Sequence, residues 1–206
     1  MKLNDRGLLI VISGPSGVGK GTIRSALFEM EGHDLVYSVS MTTRAPRKGE
    51  VNGREYFFVT EEEFKRNILE DKMLEYAEFV NNYYGTLLEP IERKLSEGKE
   101  VVLEIDVQGA NQVRQKMPDA VFIFIAPPSY DELLNRLQTR GTEPIEVINE
   151  RVEKAKREID QAILYDYIVV NDSVENAADK IVAIIRAEHA RVVRTIHKYH
   201  TLLEVK

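Results

Sequence analysis

The chain has 206 residues, with 34 acidic side chains against 28 lysines and arginines, and no cysteine. That length suits one domain, or one core with inserts, able to bury a substantial interior. The absence of cysteine excludes a disulfide framework and a thiolate metal site, and a net charge of −6 argues against non-specific binding to a nucleic-acid backbone. No apolar run approaches the ~20 residues of a membrane span, and MKLNDRG carries no signal-peptide stretch. A cytoplasmic setting without a membrane partner is therefore expected.

The first apolar run, residues 8–12, breaks at Ser13-Gly14-Pro15 into a glycine-rich turn that closes on Lys20. Gly14, four residues, Gly19 and Lys20, placed between a buried strand and a helix over 20–30, form a phosphate-binding P-loop. The glycines let successive backbone N–H groups point at one anion, and the helix start adds partial positive charge. Lys20 carries a full charge to the β- and γ-phosphates of a nucleoside triphosphate. Gly14, Pro15, Ser16, Gly17, Val18, Gly19, Lys20, Gly21 and Thr22 are the expected triphosphate-binding residues. Gly21 stands where a Ser or Thr hydroxyl would normally meet Mg²⁺, and Thr22 follows it. The ion is expected to be held largely through water and the phosphates, with no direct protein ligand assigned.

Between 38 and 86 the pattern changes to short strands at 55–59 and 73–79 around a short helix over 60–69, an inserted small subdomain. Its basic loop carries Arg44 and Arg47, either forked donors for a second anion or a solvated, mobile hairpin. Glu75 lies in an apolar-aromatic strand with Tyr84 and Thr86 near its end. Such a carboxylate is an exposed strand residue or an acceptor for paired N–H donors of a heterocycle.

Further along, runs at 101–105, 121–126 and 167–170 join 8–12 as near-continuous strands of a parallel sheet. Helices are expected over 89–97, closed by Gly98, from Ser129 to 141, and from 175 to about 199. The alternation predicts a doubly wound α/β core with right-handed crossovers. Glu104 and Asp106 end one strand, as an acid beside a P-loop would, or as ordinary strand-end carboxylates do. A second polar insert over about 139–156 carries Arg140 and Arg151, with Arg136 just before it. These arginines form a solvated helix face or arms that fold over a triphosphate.

GPSGVGKGT, SMTTRAPRKGEVNGREYFF, EYAEFVNNYYGT, LEIDVQG, FIAPPS, RLQTRGTE and VVNDS follow one another in this order. Together they resemble the guanylate kinases over about residues 7–190. The resemblance implies a P-loop core with a parallel sheet flanked by helices (1–37, 87–138 and 157–206), an inserted GMP-binding subdomain (38–86) and a lid (139–156). It implies transfer of the γ-phosphoryl of ATP to GMP, giving ADP and GDP, in guanine nucleotide recycling. Mg²⁺ would accompany ATP, dGMP would be a further acceptor, and no nucleic acid is expected as a partner. By motif, Arg44, Arg47, Tyr56 and Tyr84 would hold the GMP phosphate. Glu75 and Asp106 would read guanine, with Ser40 and Thr86 near O6; Thr86 is a serine in some relatives, which keeps the hydroxyl. Lys20, Arg44, Arg136, Arg140 and Arg151 would carry the catalytic charge, and Asn171 and Asp172 would sit at the adenine edge. Two other readings are a binding module without catalysis and a kinase of phosphorylated sugars. The intact P-loop disfavours the first, and Glu75, Asp106 and Tyr84 disfavour the second.

Overall fold

Strand β1 (Leu9–Ser13) is buried along its whole length because its alternate side chains enter two different cores. In this computed structural model, which describes residues 6–139, 145–196 and 199, Ile10 and Ile12 pack with α1 (Lys20–Glu29) and α7 (Val174–His189). Leu9 and Val11 face the other way, onto α3 (Leu88–Ser96) and α4 (Val107–Lys116). The strand joins β2 (Leu35–Tyr37), β7 (Glu100–Glu104), β8 (Val121–Ala126) and β9 (Tyr167–Val170) in the order β2-β7-β1-β8-β9. Every pairing is parallel. Parallel pairing requires long crossovers, and these supply the helices on both faces. The expected α/β core is present. After β8, α5 (Tyr130–Thr139) and α6 (Ile145–Asp160) pack through Leu133, Leu137 and Ala155, and a single 3₁₀ turn leads into β9.

A second, four-stranded sheet runs β4 (Phe57–Phe58), β3 (Met41–Thr42), β6 (Asn82–Leu87), β5 (Met73–Phe79). Helix α2 (Glu61–Leu69) covers it, its first turn closed by Thr60, whose hydroxyl accepts from the Glu63 N–H. Met41, Phe64 and Met73 form a separate small core there.

Several elements differ from the sequence reading. Strands β2 and β3 have three and two residues, too few to show a period. Helix α4 is polar along most of its length, so its period is weak, and Asp106 starts it by accepting from the Gly109 N–H. The expected strand at 55–59 shortens to Phe57–Phe58. Strand β6 follows β5 through a two-residue reversal at Val80-Asn81, both with positive φ (49° and 57°). Such turns usually carry Asn-Gly, so a valine there hides the hairpin from sequence reading. Helix α7 ends at His189, and after a break at 190–191 the chain is helical again over 192–196, where the sequence reading ran one helix to about 199. Glu188 is fully buried, and a buried carboxylate needs partners. The chain turns at Ala190 and brings Arg191 and Arg194 to within 3.2 and 3.0 Å of that carboxylate, while Tyr167 donates from below at 2.5 Å. Among the described residues no helix is long and apolar enough to cross a membrane.

Phe64 is fully buried and stacks on Tyr83 with ring centroids 5.4 Å apart, so it dominates the small second core. Phe64→Ala should lower the unfolding free energy by ~3–5 kcal/mol. Urea denaturation checks this; a loss under about 1 kcal/mol would mean the second sheet does not depend on that ring.

Candidate active site

The P-loop takes its shape from Gly14, Gly17 and Gly19, which adopt positive φ and leave no room for a Cβ. Gly19 precedes α1 at φ 96°, and a Cβ there would lie 2.7 Å from Nδ2 of Asn171. Lys20 folds back over its own loop, and its Nζ donates to the carbonyls of Gly14 (2.7 Å) and Pro15 (3.2 Å). Burial pushes its ammonium below the ordinary lysine value, while Glu104, Glu158 and Asp106 oppose that shift. Glu158, reaching over from α6, accepts from the Ser16 N–H at 3.2 Å. A carboxylate thus occupies a donor of an anion-binding loop. Arg151 on the same helix donates to the Ser16 hydroxyl at 3.4 Å. Arg136 of α5 donates to the Val18 carbonyl at 3.2 Å and pairs with Glu132 at 2.9 Å. Arg140 lies outside the described residues.

Asn171 is buried and donates to the Val18 carbonyl at 2.7 Å, so it braces the loop from the end of β9. Asp172 is exposed and accepts from the Ser173 N–H, from Asn176 and from Lys180 at the start of α7. Gly21 and Thr22 line a pocket of about 570 Å³ together with Glu104. Oε2 of Glu104 is buried and carries no hydrogen bond among the described residues, although Arg24 Nη1 stands 3.3 Å away. A buried carboxylate beside a phosphate loop, ion-paired to Arg24 but without a hydrogen bond at Oε2, is the chemistry a hard cation takes, so these residues fit a divalent metal bound with the nucleotide. Gly21 leaves open the space where a side-chain hydroxyl would otherwise stand.

The other side of the cleft is assembled by strand register. A β-bulge between Met73 and Glu75 sets Glu75 opposite Thr86 on β6. The Thr86 hydroxyl donates to Glu75 Oε1 at 2.6 Å, and Ser40 Oγ lies 2.9 Å from Thr86 Oγ1, a buried chain of three residues. Gly109 lets the second carboxylate approach, since a Cβ there would meet Glu75 Oε2 at 2.7 Å and Asp106 Oδ1 at 3.4 Å. Burial, with the nearby Asp106 adding to it, pushes Glu75 up to about 7; the Thr86 hydrogen bond opposes this. Tyr56 and Tyr84 meet edge-on at 5.9 Å, and Arg44 stands over the Tyr56 ring at 5.6 Å. The Arg44 guanidinium is engaged by Glu50 (2.9 Å) and the Ala45 carbonyl (2.7 Å). Arg47 is exposed, and its backbone N–H donates to Glu50.

A cavity of about 300 Å³ joins both halves, lined by Gly14, Ser16 and Lys20 on one side and Ser40, Tyr56, Glu75, Tyr84 and Asp106 on the other. Arg24, Tyr37, Lys154 and Glu158 also line it, and sequence reading assigned none of them a role. The signal for Arg24 is its spacing of one helical turn from Lys20. Glu158 had no such signal, because its contact is made by tertiary packing 142 residues away.

A P-loop at the carboxyl ends of a parallel sheet, joined to a second polar cavity lined by Glu75, Glu104, Asp106 and Glu158, defines a nucleotide kinase of the P-loop class. The family model for guanylate kinase matches residues 6–188. The chain is 54% identical over 204 residues to the guanylate kinase of Bacillus subtilis (strain 168), covering 99% of this chain and all of that protein. It is 56% identical over 205 residues to that of the Aster yellows witches'-broom phytoplasma (strain AYWB), covering 99% and 97%. A crystal structure of guanylate kinase from Anaplasma phagocytophilum superposes with a TM-score of 0.75 at 36% identity, over 92% of this chain and 90% of that one. This chain belongs to the guanylate kinase family. It is an ATP:GMP phosphotransferase, and a kinase that uses ATP needs a divalent metal.

The Glu75 pKa carries a signature in stability. A carboxyl raised from 4.5 to about 7 on folding binds more protons folded than unfolded, so its contribution to stability falls as pH rises through that window. Glu75→Gln does not titrate and can still accept from Thr86. The Tm of the variant relative to the wild type, without nucleotides, should therefore be higher at pH 8 than at pH 5. A difference that stays flat with pH, measured by differential scanning calorimetry, would place the Glu75 pKa near its ordinary value.

Proposed function

We propose that Glu75 and Asp106 select GMP by accepting the ring and exocyclic N–H groups of guanine, while the P-loop presents the γ-phosphoryl of Mg·ATP. The observation that carries this reading is the Ser40–Thr86–Glu75 chain facing Asp106 in the same cavity as Lys20. Guanine offers adjacent N–H donors to two carboxylates and an O6 acceptor to a hydroxyl. Adenine lacks the ring N–H and the 2-amino donors, so the carboxylate oxygens turned toward the base would go without them, a mismatch able to reject a substrate by roughly 10⁴. Arg44, Arg47, Tyr56 and Tyr84 are assigned to the acceptor phosphate. For that role Arg44 exchanges Glu50 for the ligand. dGMP, which carries the same base and phosphate, is proposed as a second acceptor.

In the reaction an oxygen of the acceptor phosphate forms a bond to the γ-phosphorus. The bond from that phosphorus to the β–γ bridging oxygen breaks, and ADP leaves with the electron pair. The nucleophile is already anionic, so no general base is required. What the chain supplies is alignment of two polyanions and fixed positive charge where charge spreads over the transferred group. Lys20, Arg136, Arg140 and Arg151 fill that role. Mg²⁺, the metal proposed to accompany ATP, would neutralise charge on the phosphates, with Glu104 and Thr22 beside it. Asn171 braces the loop under the nucleotide, and Asp172 marks the adenine edge. The absence of a membrane-spanning helix among the described residues suits action in the cytoplasm.

In this reading the stretches 38–86 and 139–156 act as an acceptor-binding subdomain and a lid that close on the core. Their arginines are drawn to phosphates held in line, and closure keeps water from the γ-phosphoryl. A bisubstrate analogue joining ATP to GMP should reduce the radius of gyration in solution scattering more than ATP does. Superimposable curves with and without the analogue would sink the closure model.

A panel of acceptors assayed with Mg·ATP should show GMP and dGMP used and AMP, UMP and sugar phosphates turned over at background. Equal use of AMP and GMP would remove the assignment of Glu75 and Asp106. Lys20→Ala should fold normally and lower kcat by ~10²–10³. A variant keeping more than about a tenth of wild-type kcat would deny Lys20 its electrostatic role.

A further inference from the structure

Lys20 and Arg24 lie four residues apart at the start of α1, hence on the same face of the helix, one turn from each other. Arg24 is the one arginine among the described residues that line the cavity shared by the P-loop and the acceptor site. Its guanidinium is held in place before any ligand arrives. Nη1 donates to the Tyr37 hydroxyl at 2.9 Å and stands 3.3 Å from Glu104, and the group lies 4.7 Å over the Tyr37 ring. These contacts engage one edge of the fork; Nη2 and Nε have no acceptor among the described contacts. Arg44, by contrast, has both terminal nitrogens occupied by Glu50 and Ala45. The Arg24 charge also reaches the Tyr56 hydroxyl, where it opposes the upward push of burial.

From this geometry we infer that Arg24 binds the phosphate of the monophosphate acceptor, as a fixed guanidinium between the P-loop and Tyr56. A fork with one edge anchored and the other open suits a dianion. It presents paired donors at low entropic cost, because Tyr37 and Glu104 have already set its rotamer. Glu104 balances part of its charge in the absence of ligand, and the arriving phosphate supplies the rest. The inference rests on the reading of this cavity as the GMP site and adds a phosphate contact to it.

Calorimetric titration of GMP and of guanosine into wild type, Arg24→Ala and Tyr37→Phe tests it, alongside steady-state kinetics. Guanosine has the base and the sugar but no phosphate. Arg24→Ala should weaken GMP by ~10–100-fold, the range for a lost hydrogen bond to a charged group, and leave guanosine affinity and the KM for ATP nearly unchanged. Tyr37→Phe loosens the anchor and keeps the charge, so it should give a smaller loss of the same kind; it decides the matter if Arg24→Ala does not fold. A purely structural Arg24 would lower Tm without altering the ratio of GMP to guanosine affinity, and that result overturns the inference. Equal weakening of both ligands overturns it as well. Wild type that neither binds nor phosphorylates GMP would remove the underlying reading of the cavity and this inference together. Wild type that uses GMP while both variants bind it normally would remove this inference alone.

Discussion

A site built for two polyanions must keep its cations and N–H donors satisfied while no anion is bound. Like charges gathered in one cleft repel, and buried donors without partners are costly. This protein resolves that constraint with internal carboxylates. Glu158 takes the Ser16 N–H, Glu50 holds Arg44, and Glu104 stands by Arg24 within reach of Lys20. Each of these acids places negative charge beside a donor or cation of the cleft. The arrangement holds the cations in place by internal ion pairs and hydrogen bonds.

The fold supplies the distances over which this exchange works. Parallel strands ending at one edge bring the P-loop after β1 and the acids after β7 side by side, since β1 and β7 are neighbours in register. The second sheet then carries Glu75 to the same edge from a part of the chain that lies between β3 and α3 in sequence. Gly109 is what permits the approach: any side chain there would stand between Glu75 and Asp106. Helix α6 contributes from the opposite wall, with Arg151, Lys154 and Glu158 on its cleft side. Sheet, insert and helix thus converge on a cavity that none of them encloses alone.

Much of this was legible in the residues. The P-loop could be read because its spacing is local: strand, glycine turn and helix start follow within a dozen residues, and each has a strong sequence signal. The buried strands of the core were legible because both faces of a parallel sheet are apolar, as the division of Leu9 and Val11 from Ile10 and Ile12 makes plain. Strand β6 was not, because its turn uses Val80 at a positive φ in place of a glycine. Helix α4 was missed because its buried face is narrow and includes Gly109. The end of α7 was misplaced because the demand that stops it, partners for buried Glu188, is tertiary.

The sequence by itself determined the phosphate loop, the class of fold and the family, since these rest on local spacing, on the period of apolar residues and on motifs kept in order along the chain. Only the tertiary structure decided which charges face one another. Glu158 on the P-loop, Arg24 in the cavity with Glu75 and Asp106, and the raised pKa of Glu75 all depend on groups far apart in sequence. The energy of a charge is set by burial and by what lies within a few ångströms of it, and neither quantity exists until the chain has folded.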